Sequence, residues 1–394
     1  MELNAISRQF ELLGERIVNF RRTLHRMAEL SFEEYRTAEF IKSELEKEGI
    51  ECKSIVKTGV LAVVNGKNPD PQHPVILRAD IDALPIQEST GLEFAADTDG
   101  VMHACGHDLH TAALMGALIG LKCLSEEFDG TVWGIFQPGE EVAPGGASEI
   151  IASGLFDGIK PRAVIGQHIE AGMANNLFGF RPGQCMASAD EIHIKVSGSG
   201  GHAAMQHKYS DTVLTSAQLI VALQQIAARN CNPMTPTIIS IGRVEALGAT
   251  NVIPSEVTMC GTMRTIDEAW RVEIKNRIRE IASGLAVSSR TNIDVQFSPG
   301  YPSVINDSQL TAASVLVAQK VVGRENVIEQ PIKMTAEDFG FYGSVAPSMF
   351  YRFGAGVGSN DAHCANFNPD DSNLPTVAKL LCCLAINVIC DDFR

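Results

Sequence analysis

The sequence predicts an α/β protein, with a larger domain on a mostly parallel sheet interrupted by a smaller α+β domain. Three observations carry this. The chain has 394 residues, 45% apolar and 20% charged, which is a globular composition too long for one ordinary core. Its first half alternates continuous apolar strands with helices, as in a sheet covered on both faces. From about residue 186 the strands alternate apolar and polar residues in the order β-α-β-β-α-β, the split pattern of a small ferredoxin-like domain.

MELNAISRQFELLGERIVNF reads as an amphipathic helix with Leu, Phe and Ile on one face, and it lacks the basic start, apolar run and cleavage site of a signal peptide. LAVVNG (61–66) and PVILRADIDALPI (74–86) read as strands, and TAALMGALIGLKCL (111–124) as a helix. GTVWGIFQPGEE (130–141) is a strand entering a loop, and RAVIGQHIE (162–170) is a further strand. Polar residues gather at the ends of these strands: Asp80 and Asp82, Glu140 and Glu141, His168. Ligands of such sheets collect beyond the carboxyl ends of strands.

DEIHIKVSG is an alternating strand, followed by the helix DTVLTSAQLIVALQQIAARN. PTIISIGRVE and SEVTMCGTMRT are strands, then come a helix from Asp267 to about Ser289 and the strand NIDVQFS. The insertion is placed at 186–296, so residues 1–185 and 297–394 form one discontinuous domain. After the insertion the texture is helix and loop, ending in the helix TVAKLLCCLAINVIC. A net charge of −15 argues against nucleic acid or an anionic membrane as partner, and no apolar run of about 18 residues could span a bilayer. The ten cysteines are scattered, which fits buried small hydrophobes in a reducing cytoplasm.

MHACGHDLHTAALMGA (102–117) concentrates His103, Cys105, His107 and His110 just ahead of a helix. A thiol before a helix, with an imidazole two residues on, suits an activated nucleophile or a metal site. FQPGEEVAPGG adds two adjacent glutamates whose side chains point differently, so one can bind a cation while the other moves a proton. With His168 and His363, the set Cys105, His107, a glutamate of the 140–141 pair, His168 and His363 exceeds what one tetrahedral ion needs. Two ions sharing a bridging group fit better, with the spare glutamate as general base of a hydrolase. Cys105 therefore reads as a ligand, and a thiol hydrolase using Cys105 and His107 is the competing reading.

Ordered motifs then carry a resemblance. HRMAELSFEEYRTAEFI, RADIDALPIQE, MHACGHDLHTAALMGA, FQPGEE, GQHIEAGMANNLFGFRPGQCMASADEIHIKVSGSGGHAA, TNVIPSEVTMCGTMR, TAEDFGFY and HCANFNPDD run nearly end to end. The chain resembles the amidohydrolase branch of the aminoacylase and carboxypeptidase G superfamily, which includes hippurate, auxin-conjugate and N-acetyl-diaminopimelate hydrolases. The resemblance implies a di-metal aminopeptidase-like domain with the inserted domain as lid and homodimer interface. It implies Cys105, His107, Glu141, His168 and His363 as ligands of two divalent ions per subunit, manganese or zinc, with cobalt and nickel also compatible. Glu140 is then the catalytic base and Asp82 orients a ligand. Asp80 stands where the wider superfamily has a ligand histidine. His202 of SGSGGHAA stabilises an oxyanion, from across the dimer, while Asn251 and Arg264 hold the substrate carboxylate. The implied reaction is deacylation of N-acyl-L-amino acids, with a metal-dependent dipeptidase or carboxypeptidase as the alternative. Ala28 and Met205-Gln206 depart from the usual pattern, the latter near the His202 turn.

Overall fold

Apolar runs that cannot alternate, because water reaches neither side, form the centre of the larger unit's sheet. Thr131–Gln137, Val75–Asp80 and Ser348–Gly354 are buried at every position, and Ala163–Glu170 nearly so. The structure is a computed structural model describing residues 3–390, the side chains of Asn4 and Ala5 excepted. Met1 and Glu2, part of the stretch read from the sequence as an amphipathic helix, lie outside the described residues.

The chain divides into two units, one of Met1–Cys185, Ile305–Pro331 and Asp338–Arg394, the other of Met186–Val304 and Ile332–Glu337. In the first, eight strands lie in the order Glu51–Ile55, Gly59–Asn65, Thr131–Gln137, Val75–Asp80, Ala163–Glu170, Ser348–Gly354, Phe178–Phe180, Val327–Glu329. The middle four run parallel, and antiparallel pairing enters on either side of them. Helix His107–Cys123 packs against both Leu3–Arg26 and Leu374–Cys390. It is buried from His107 to Leu121, so it shows little amphipathic signal.

Three differences from the sequence reading have physical causes. The strand of PVILRADIDALPI ends at Asp80, because beyond it Asp82 leaves the sheet to bond His107. The helix read from Thr111 begins at His107, after Gly106 turns the chain in a left-handed conformation at φ 87°. Ser348–Gly354, in a stretch read as helix and loop, is a central strand. Its polar groups are paired inside, Tyr351 Oη donating to Gln167 Oε1 at 2.8 Å and Arg352 lying 3.3 Å from Glu170.

The second unit holds four antiparallel strands in the order Thr237–Glu245, Glu256–Thr265, Ser188–Ser197, Asn292–Tyr301. Its helices Thr212–Gln225 and Glu268–Ser289 contribute Leu219, Leu223, Ile274 and Ile278 to a core with Ile192, Ile194, Val257 and Met259. Asp211 and Asp267 cap these helices by accepting from Leu214 and Trp270 N–H, each at 2.9 Å. The unit runs past residue 296, since the last strand continues to Tyr301. It also takes in the segment 332–337, held by a bridge from Met186 to Lys333 and by Arg264 donating to the Met334 carbonyl at 3.1 Å.

Candidate active site

Within the first unit, strand ends and one helix start bring the chemistry together. Cys105 and His107 flank Gly106, where a Cβ would lie 2.6 Å from Ile169 Cγ2, so only glycine lets this turn approach the strand bearing His168. Glu140 and Glu141 follow the strand Thr131–Gln137. His363 joins through its backbone, its N–H donating to the Ala104 carbonyl at 2.7 Å. Among the described residues of this unit, the candidate ligand atoms of Cys105, His107 and His168, of Cys105, Glu141 and His363, and of His107, Glu140 and Glu141 lie, set by set, within 4.8 Å of one another, as do those of Asp80, His107 and His110.

In His107 and His168 the far nitrogen is occupied, which leaves the near one for a ligand. His107 Nδ1 donates toward the Asp82 carbonyl (2.9 Å) and Oδ1 (3.1 Å). His107 Nε2 is buried without a hydrogen bond, as is Glu141 Oε1, 3.9 Å away. His168 Nδ1 donates to the Ile169 carbonyl at 2.5 Å, and its Nε2 lies 3.4 Å from Cys105 Sγ. His363 Nε2 is 3.4 Å from Glu141 Oε1. Bare buried imidazole and carboxylate atoms beside a thiol are the donor set of a zinc- or manganese-type ion, so these residues fit the metals the sequence implies.

The electrostatics agree. Burial alone would lower His107, but the Asp80 and Asp82 carboxylates raise it well above the usual imidazole value, so the site favours a cation at Nε2. Burial, with His110 adding to it, holds His168 well below that value, keeping it neutral. Burial, assisted by Glu141, pushes the Cys105 thiol up to about 12, which disfavours a free thiolate nucleophile. Asp82 is buried, which pushes its carboxyl up, yet bonds from His107, from Glu141 N–H (3.0 Å) and from Ser31 Oγ (2.7 Å) bring it below the usual range.

The structure adds residues to which the sequence reading gave no role. Asp80 has both oxygens engaged, by His110 Nδ1 at 2.6 Å and Arg78 at 2.7 Å. His110 Nε2 accepts the Ile169 N–H at 2.9 Å, so His110 is a strut between two strand ends. Arg78 also donates to Gln137 (2.9 Å) and Asp338 (2.8 Å), entirely buried. The signal available was a charge at every second position of RADID, inside an otherwise apolar strand.

His202, Asn251 and Arg264 belong to the second unit. His202 sits on the short strand Gly201–His202, paired with Val252, and its Nδ1 accepts the Ala204 N–H at 3.1 Å, leaving Nε2 as the donor of the neutral ring. Asn251 is tied to the same turn, its carbonyl accepting from Ala203 N–H at 2.9 Å. Arg264, half-buried, bonds the Met334 carbonyl.

Comparison with known proteins adds four findings. Residues 76–387 match the pattern of the family described as Peptidase family M20/M25/M40. An N-acetyl-L-cysteine deacetylase of Bacillus subtilis is 38% identical, covering 91% of this chain and 85% of its own. An N-acetyldiaminopimelate deacetylase of Exiguobacterium sibiricum is 37% identical, over 93% and 98%. Among solved structures, a Bacillus subtilis protein described as a dinuclear metal binding peptidase of the M20 family superposes with a TM-score of 0.82 at 33% identity, covering 96% of this chain and 99% of that one.

Proposed function

The chain belongs to peptidase family M20/M25/M40, and from that premise we propose that it is a metal-dependent amidohydrolase that cleaves the amide bond of N-acyl-L-amino acids. The deacetylase relatives support the substrate class. The observation that carries the reading is the pair of bare buried atoms, His107 Nε2 and Glu141 Oε1, among Cys105, His168 and His363. Two ligand sets sharing Cys105 suit two divalent ions, as does the dinuclear relative. The donor chemistry suits manganese or zinc and accepts cobalt or nickel. Bound there, the ions would polarise the scissile carbonyl and acidify a water.

Glu140, buried beside His107, takes the water's proton on its carboxylate and passes it to the leaving amine nitrogen. Asp82 keeps the proton on His107 Nδ1, so it is a positioning residue. His202 donates from Nε2 to the developing oxyanion, and Asn251 and Arg264 hold the substrate carboxylate, the latter with a planar fork. The second unit serves as lid and as the interface of a homodimer working in the cytoplasm. No helix among the described residues is long and apolar enough to cross a membrane.

The test is metal content, together with hydrolysis of N-acetyl, N-benzoyl and indole-acetyl amino acids and of free dipeptides, before and after chelation. The expected result is two ions per chain and deacylation that chelation abolishes and manganese or zinc restores. Chelator-resistant turnover blocked by iodoacetamide would return Cys105 to the role of nucleophile. A clear preference for free dipeptides would replace the substrate class with the dipeptidase alternative.

A further inference from the structure

The second unit's sheet buries one face on its helices and leaves the other polar. Ile192, Ile194 and Val196 point into the core, while Glu191, His193 and Lys195 alternate to the opposite face. On the neighbouring strand Cys260 is the residue directly opposite His193, so their Cβ atoms are about 5 Å apart. Cys260 Sγ lies 3.6 Å from His193 Nδ1. His193 Nε2 is 3.2 Å from Glu191 Oε2 and 3.0 Å from Ser298 Oγ. A surface recess of about 440 Å³ opens over this group, lined by Glu191, His193 and Cys260 with Ser240, Arg243 and Thr262.

Thiol, imidazole and carboxylate in that order are the parts of a nucleophile with an oriented base. Acyl chemistry would also need N–H donors aimed at an oxyanion. The strand carrying Cys260 is paired on both sides, which commits its backbone to the ladder. Thiol–disulfide exchange needs only a thiolate, access and a place for the proton.

We propose that Cys260 is a reactive thiol that undergoes reversible exchange with low-molecular-weight disulfides, His193 acting as its base. The Cys260 proton moves to His193 Nδ1. Sγ attacks one sulfur of the disulfide, a new S–S bond forms as the old one breaks, and the departing thiolate takes the proton from His193. Cys260 is oxidised to a mixed disulfide and one half of the reagent is reduced to a thiol, so no further oxidant is needed.

The test uses the metal-loaded enzyme with dithionitrobenzoate and with cystine as probes, labelled cysteines being mapped by peptide mass spectrometry. Cys123 and Cys390, both exposed, are the internal references. Cys260 is expected to react about ten-fold faster than either reference, and H193Q to slow it by a similar factor while leaving both reference rates unchanged. C260S should remove the fast phase and keep hydrolytic activity. Labelling of Cys260 no faster than the references, or an unchanged rate in H193Q, overturns the proposal, as does a fast phase that survives in C260S.

Discussion

Replacing Asp82 by asparagine tests how the site holds His107. The carboxylate accepts three hydrogen bonds from side chains or backbone, from His107 Nδ1 at 3.1 Å, Ser31 Oγ at 2.7 Å and Glu141 N–H at 3.0 Å. An amide can accept at one end only. If its oxygen keeps His107, its NH2 faces the Glu141 N–H, donor against donor. If its oxygen keeps Glu141, its NH2 faces His107 Nδ1 and favours the tautomer with the proton on Nε2, where a metal needs a lone pair. Either arrangement leaves a buried donor unmet, at about 1–3 kcal/mol. The bond from His107 Nδ1 to the Asp82 carbonyl, 2.9 Å, survives and keeps the loss from being total. The expected outcome is metal affinity weaker by about 10–100-fold, or about 1.4–2.7 kcal/mol. Competition against a fluorescent chelator measures this, and thermal melting of the metal-free variant separates it from a folding defect. An affinity within about twofold of wild type would refute the claim that Asp82 sets the His107 tautomer.

Three other outcomes follow from the same geometry. Glu140→Gln should lower kcat by about 10²–10⁴-fold at unchanged metal content. Loss of an ion as well, read by metal analysis, would instead make Glu140 a ligand. Gly106→Ala puts a side chain at φ 87° and 2.6 Å from Ile169 Cγ2, so a stability loss of about 1–3 kcal/mol with weakened metal binding is expected, and an unchanged melting temperature counts against it. Burial pushes the Glu34 carboxyl up from 4.5 to about 7, although Thr58 bonds it and the Gly139 N–H donates to it at 2.9 Å. Between those values the folded chain holds a proton that the unfolded chain has lost, so stability falls as pH rises through that window, by roughly 3 kcal/mol in all. Glu34→Gln keeps the Gly139 bond through its oxygen and can turn its NH2 to donate to Thr58 Oγ1, without a charge, so it should flatten the decline. Denaturant unfolding at pH 5 and pH 8 gives the answer, and parallel declines in both proteins would exclude Glu34 as its source.

By itself the sequence determined the alternation of buried strands and helices and the change of texture near residue 186. It also placed thiol, imidazole and carboxylate residues at strand ends, because local period and composition encode those features. Cys105, His107, a glutamate of the 140–141 pair, His168 and His363 could be read as a candidate ligand set because each is of a metal-binding type, while the choice of Glu141 came from the resemblance. Only the tertiary structure decided that His110, three residues from His107, is a strut between Asp80 and the Ile169 N–H, since both its partners are far away in the chain. Arg78 is a related case: its charge is tolerable in a core only because Gln137 and Asp338, from two distant segments, join Asp80 of its own strand around it. The strand Ser348–Gly354 escaped the reading for a like reason: Tyr351 and Arg352 look like surface residues until Gln167 and Glu170 are brought beside them. A residue's type and period are local properties, whereas the partners that make a polar side chain affordable in the interior are chosen by long-range packing.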